Sequence, residues 1–266
     1  MENNTTYLLT FELKNESLDF TDISRFEYIL QLSETECKKK EIGFSEALFG
    51  GRNATISNNN LNVYCYKIRI YSVLLNFCDR LKKATDFTRR LCYLYDSIEF
   101  HVNKQNGVIQ EVCNAEELDR NANAIVELLK RDYKGQVVDE YLDKTIRTIS
   151  EMGFENSVNN YMIYGLLFPE IPPKHEGDWE HSRLIVPSVY DGVAFSESIK
   201  YKRTEEQIRI YDVNGSLPEH TTLQLEQFAG KLHVKEDRLL PEYAKIKIRY
   251  NHSGVLNSWG FELVRY

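Results

Sequence analysis

The stretch with the densest set of reactive side chains is Lys174–His181, KHEGDWEH. Two histidines enclose three acids and a tryptophan. Zinc takes three or four ligands from His, Cys, Asp or Glu in a near-tetrahedral arrangement. His175, Asp178 and His181 would supply three, with Glu176 or Glu180 as the base that handles a bound water. A metal-dependent hydrolase can be written from these residues.

The local pattern argues against it. The spacing is not the H-E-x-x-H of two ligands on one helix face. Gly177 and the prolines at 172 and 173 put His175 in a turn, and Trp179 onward reads as a strand. Successive side chains of a strand leave on opposite sides. Trp179 and His181 therefore share one face, while Asp178, Glu180 and Ser182 share the other. A compact three-ligand site would need a bulge to re-aim one of them. The expectation is a solvated strand entry with Trp179 as a packing anchor, no catalytic residue and no cofactor. Zinc at His175, Asp178 and His181 is the alternative.

Other chemistry is no better supported. The chain has no G-x-G-x-x-G, no Walker loop and no G-x-S-x-G. Gly50-Gly51 reads as a helix end and turn. The six histidines are scattered, and 40 acidic residues make carboxylate pairs uninformative. The five cysteines, Cys37, Cys65, Cys78, Cys92 and Cys113, contain no C-x-x-C and read as buried free thiols. Cys113 stands out because it immediately precedes a helix start.

The elements that would position these residues follow from periodicity. Alternation predicts strands at Tyr7–Leu13, Phe26–Leu32 and Leu61–Val73. Spacings of three and four then predict a helix over Leu74–Leu94. Ile98–Asn114 reads as a hairpin around Asn106-Gly107, the pair that supplies positive φ in tight turns. Asn114 and Glu117 form the pattern of a reciprocal cap for a helix over Ala115–Tyr133. Two more helices are expected over Val137–Met152 and Ser157–Leu167, ended by Pro169, Pro172 and Pro173. Period two returns after Trp179, with strands near Ser182–Val186, Val193–Ser196, Ile208–Tyr211, Leu232–Val234, Lys245–Tyr250 and Gly260–Val264.

These elements predict an α+β fold, with antiparallel sheets in the N- and C-terminal parts packed against a central group of three helices. A boundary, if present, divides residues 1–168 from a mainly antiparallel segment at 169–266, and both can belong to a single fold.

With 266 residues, 42% hydrophobic and 27% charged, the chain has ample material for a core. A formal net charge of -7 disfavours nucleic acid. The basic stretch Arg80–Arg90 reads as a solvated helix face. No apolar run is long enough for a membrane span, and the first residues do not resemble a signal peptide, so a cytoplasmic location is expected. The 17 tyrosines suit a core rim or a partner surface. Tyr64, Tyr66, Tyr93, Tyr95 and Trp179 are the candidates for such a surface. The favoured expectation is a non-catalytic interaction or assembly module that binds a protein partner or itself. A carrier of an apolar small molecule in a sheet-helix pocket is a further alternative.

Overall fold

Tyr7, Leu9 and Phe11 alternate inward along the first strand, and Trp259, Phe261 and Leu263 do the same along the last. The two strands lie side by side, antiparallel, with Phe11 opposite Phe261. This pairing joins the N- and C-terminal strands into one sheet. The architecture comes from a computed structural model that describes residues 4–17, 21–35, 63–76, 82–145, 160–162, 164–175, 177–187, 193–218, 221 and 223–266.

Strands β1 (Asn4–Glu16), β2 (Thr21–Thr35) and β3 (Val63–Asn76) lead into helix α1 (Lys82–Leu91) and a single 3₁₀ turn at Cys92–Tyr95. The hairpin β4 (Ile98–Asn103) and β5 (Ile109–Val112) precedes helix α2 (Ala115–Asp132). A third helix, α3, covers residues 136–145. Strands β6 (Glu180–Ile185), β7 (Phe195–Glu205), β8 (Ile208–Ser216), β9 (Gln224–Lys235), β10 (Pro241–His252) and β11 (Val255–Arg265) complete the chain. The eleven strands of the described residues form one antiparallel sheet in the order β5-β4-β3-β2-β1-β11-β10-β9-β8-β7-β6. The predicted α+β class with three helices is present, its sheets fused into one.

Several local expectations are corrected. The predicted helix over Leu74–Leu94 begins too early: β3 runs to Asn76, and α1 starts at Lys82. The apolar residues Leu74 and Leu75 satisfy either period, and pairing with Phe26 and Glu27 of β2 selects the strand. In the predicted helix over Ser157–Leu167 the described residues form turns instead. The helix expected over Val137–Met152 is present to residue 145, and the rest lies outside the described residues. Asn114 is the N-cap residue of α2, but its side chain makes no capping bond. Its Nδ2 donates to Ser97 O at 2.7 Å and its Oδ1 accepts from Glu99 N at 2.9 Å. Tying α2 to β4 in this way competes with the reciprocal cap. In β3, Tyr66, Ile68 and Ile70 point inward, but the next inward residue is Val73. A bulge opposite Ile29 and Leu30 inserts Tyr71 and shifts the parity.

The sheet is strongly curved. Nine strand spacings separate β4 from β6, about 43 Å if the sheet were flat. Yet both strands meet the same residue. The Phe168 ring lies 5.1 Å from that of Phe100 in β4, and the Phe168 carbonyl accepts from Arg183 in β6 at 2.6 Å. The sheet therefore wraps around the described residues 160–162 and 164–175, which cross its concave face as a strap. Tyr161, Tyr164, Leu166, Leu167, Phe168 and Ile171 fill the interior from this strap, each 2% exposed or less. Gly107, in the β4–β5 turn at φ 72°, lets the hairpin approach the strap, since a Cβ there would meet Ile171 O at 3.0 Å.

The helices sit apart from this interior. Leu118 of α2 joins the main core, while Ala122, Val126 and Leu129 form a second cluster with Leu94 and Leu142 of α3. Phe87 and Leu91 of α1 pack against it. Leu128 is 42% exposed, whereas Val126 is buried. Lys82, Lys83 and Arg89 of α1 face solvent, and Arg89 pairs with Asp86 and the half-buried Arg90 with Asp132.

Candidate functional site

Three polar arrangements are built into this framework. The first holds the strap. Arg183 and Glu197 are directly opposed on β6 and β7, with Arg183 Nε donating to Glu197 Oε2 at 2.5 Å. The other guanidinium nitrogens donate to the strap carbonyls of Phe168 and Gly165, and Tyr161 of the strap donates its hydroxyl to Glu197. Burial alone would lower the pKa of Arg183, but Glu197, Tyr161 and Glu170 together outweigh it and raise it; burial and Glu197 together push the Tyr161 hydroxyl up. A second arginine, Arg209 on β8, is 5% exposed and donates to Pro172 O at 2.6 Å and Arg238 O at 3.0 Å. Both arginines come from the C-terminal strands and fasten the strap by its backbone. The N-terminal strands grip it with rings, Phe100 on Tyr164 and Tyr66 on Phe168.

The second arrangement is the KHEGDWEH octet. Trp179 stacks on His181 at 6.0 Å, as side chains two apart on a strand should. It also stacks on His175 at 5.3 Å. The histidines have separate partners. His175 Nε2 bonds the Tyr211 hydroxyl at 2.7 Å, and His181 Nε2 bonds Glu170 Oε2 at 2.8 Å. Tyr201 and Tyr211 close an aromatic cluster around His175 and Trp179. Burial, with Arg209 adding to it, lowers the pKa of His175. The bond from His181, aided by Arg183, lowers that of Glu170 against the opposing effect of burial. Asp178 is exposed, and Glu180 is exposed and accepts from the Ser198 hydroxyl. Glu176 lies outside the described residues. His175, Asp178 and His181 thus do not gather their ligand atoms about one point.

The third arrangement was not anticipated. Among the described residues, one set of three metal-ligating side chains has its ligand atoms all within 4.8 Å of one another: His101, Glu111 and Cys113. His101 and Glu111 face each other across β4 and β5, with Nδ1 and Oε2 3.3 Å apart. The signal that conceals this set is the hairpin register. A two-residue turn at Asn106-Gly107 would place His101 opposite Val112. Instead Asn103 N bonds Val108 O, and a bulge at His101/Val102 shifts the pairing by one, bringing Glu111 onto the same outward face.

The residues proposed as a partner surface are placed as follows. Tyr66 is 7% exposed and belongs to the main core. Tyr64, Tyr93 and Trp179 are partly buried against that core. Lys104 lies 4.6 Å over the Tyr64 ring. Tyr95 belongs to the 3₁₀ turn after α1. The expectation of free buried thiols fails at Cys65, which is disulfide-bonded, and at Cys113, which is exposed. Cys37 and Cys78 lie outside the described residues. The concave face, where a carried apolar ligand would lie, is occupied by the strap. No described helix is long and apolar enough to cross a membrane.

No family model matches the chain, and no curated protein is significantly similar to it.

Proposed function

We propose that the protein is a non-catalytic interaction module whose contact surface is the outer, convex face of the sheet. The observation that carries this reading is a row of apolar and aromatic side chains set by strand register. Ile29 faces Leu8, Leu8 faces Val264, Val264 faces Tyr243, Tyr243 faces His233 and His233 faces Ile210, which at 7% exposed closes the row as a buried end. Tyr71, the extra residue of the β3 bulge, extends the row beyond Ile29 and is 66% exposed. The row crosses seven adjacent strands, about 29 Å along the sheet. That length suits one side of a protein–protein contact of ordinary size.

Two residues further along each strand runs a polar row: Glu27, Thr10, Glu262, Lys245, Lys231, Asp212, Lys200 and Glu180. An apolar strip bordered by charges of both signs is the composition of an interface core and its rim. Such a surface serves a protein partner or a second copy of the chain. The tyrosines favoured from sequence contribute mainly to the core, so the surface on this reading is carried by Tyr71, Ile29, Leu8, Val264 and Tyr243.

The test compares wild-type protein with Tyr71→Ser/Val264→Lys, in sedimentation velocity and in quantitative capture of partners from the source cell. The expected result is a complex lost by the variant, with a melting temperature within a few degrees of wild type. Identical sedimentation and capture by both proteins would overturn the reading.

A further inference from the structure

We propose that His101, Glu111 and Cys113 form a binding site for one thiophilic divalent transition metal of the zinc class. The donor set is one imidazole nitrogen, one carboxylate oxygen and one thiolate sulfur. Magnesium and calcium take oxygen donors, whereas a borderline-soft ion accepts this mixture. In a tetrahedral zinc site, bonds of about 2.0 Å to nitrogen and oxygen and about 2.3 Å to sulfur place donor atoms roughly 3.3–3.6 Å apart. His101 Nδ1 and Glu111 Oε2 are already at 3.3 Å. No pair within the set exceeds 4.8 Å. Closing the remainder takes about 1 Å, the scale of one side-chain rotation, and Cys113 is exposed and outside any disulfide.

The backbone beneath the three donors is fixed. Cys113 N donates to Glu99 O at 2.8 Å, continuing the β4–β5 ladder past its last paired residue. Next to it, the Asn114 side chain spans Ser97 O and Glu99 N. The bulge at His101/Val102 is the feature that turns His101 and Glu111 to one side. Ligands carried on a hydrogen-bonded hairpin lose little further freedom when they bind an ion.

The charges also fit. A thiolate and a carboxylate neutralise a divalent cation, so the occupied site is neutral. Cys113 immediately precedes the N-cap of α2. Cys92 is placed differently. Burial of Cys92 pushes its pKa up to about 11, and its Sγ is held by Thr88 O at 3.2 Å. Three protein ligands leave a fourth position for water or for a donor from a partner.

Cobalt(II) is the probe. Protein treated with chelator, handled without oxygen and without reductant, and freed of both chelator and metal is titrated with Co²⁺. The expected result is saturation at one ion per chain, with a sulfur-to-cobalt charge-transfer band in the near ultraviolet that Zn²⁺ abolishes by competition. Cys113→Ser should remove the band, and His101→Ala should weaken apparent affinity by roughly 10- to 100-fold or more. Cys92→Ser should leave the titration unchanged. Circular dichroism of Cys113→Ser should match wild type, because the side chain is exposed. Absence of the band from wild-type protein, or its survival in Cys113→Ser, would overturn the assignment. If Cys113→Ser were misfolded, Glu111→Gln provides the second reading: unchanged Co²⁺ affinity there would also overturn it.

Discussion

Arg183 and Glu197 are directly opposite one another on neighbouring strands, and their side chains are only 5% and 1% exposed. An ion pair this deep gains little over a well-packed apolar pair, because desolvating two charges offsets most of their attraction. Removing one member is different, since the other remains charged and buried. Here Arg183 also serves the backbone of the strap, which the curved sheet needs to fill its concave face.

Arg183→Met should therefore lower stability by about 3–5 kcal/mol. Glu197→Leu should cost a similar amount, because it strands both Arg183 and the Tyr161 hydroxyl. The double variant should cost less than the sum by about 1–3 kcal/mol, the coupling of a contacting pair. Urea denaturation of the four proteins checks this. Additive effects would mean that the two residues act independently.

Glu170 gives a prediction in acid. Its pKa lies below the ordinary carboxylate range because His181 bonds it and Arg183 is near. A carboxylate lowered by folding contributes stability above its unfolded pKa and loses that contribution as pH falls through the folded value. Glu170→Gln should be destabilised by about 1 kcal/mol at neutral pH, a modest figure because the pair is partly solvated. The gap to wild type should close progressively below about pH 4. Melting curves from pH 7 to pH 2.5 read the difference directly, and a gap independent of pH would contradict the assignment.

His175 acts in a higher window. Burial and the nearby Arg209 hold it below the usual imidazole value, and burial with Lys231 does the same to His233 on the outer face. The folded state resists protonation at both positions. Stability from this source is complete above about pH 6.5 and falls as pH drops below that value. His175→Gln should flatten the dependence of melting temperature on pH between about 6.5 and 5, and His175→Gln/His233→Gln should flatten it further. A slope unchanged by either variant would show that neither imidazole carries the effect.

The strands, most turns and the alternation at Trp179 and His181 were legible in the sequence because each depends on neighbours a few residues away. Period two along Tyr7–Leu13 reports a half-buried strand whatever it pairs with, and the stacking of Trp179 on His181 confirms the shared face. The octet also announced its polar character correctly, but not its partners. Glu170 and Tyr211, which bind the two imidazoles, come from the strap and from β8.

What the sequence determined by itself is therefore an α+β chain rich in antiparallel hairpins, with no nucleotide loop and no helical metal motif. Tertiary structure decided the rest: that β1 meets β11, that the described strap residues between 160 and 175 cross the concave face without helix, and that His101 and Glu111 point the same way. The first is a pairing between distant parts of the chain, selected by burial of both strands' inner faces. The strap takes its form from two arginines on other strands that bind its carbonyls in place of helical bonds. The third turns on a bulge of a single residue, which reverses which side chains share a face while leaving the hydrophobic period almost unchanged.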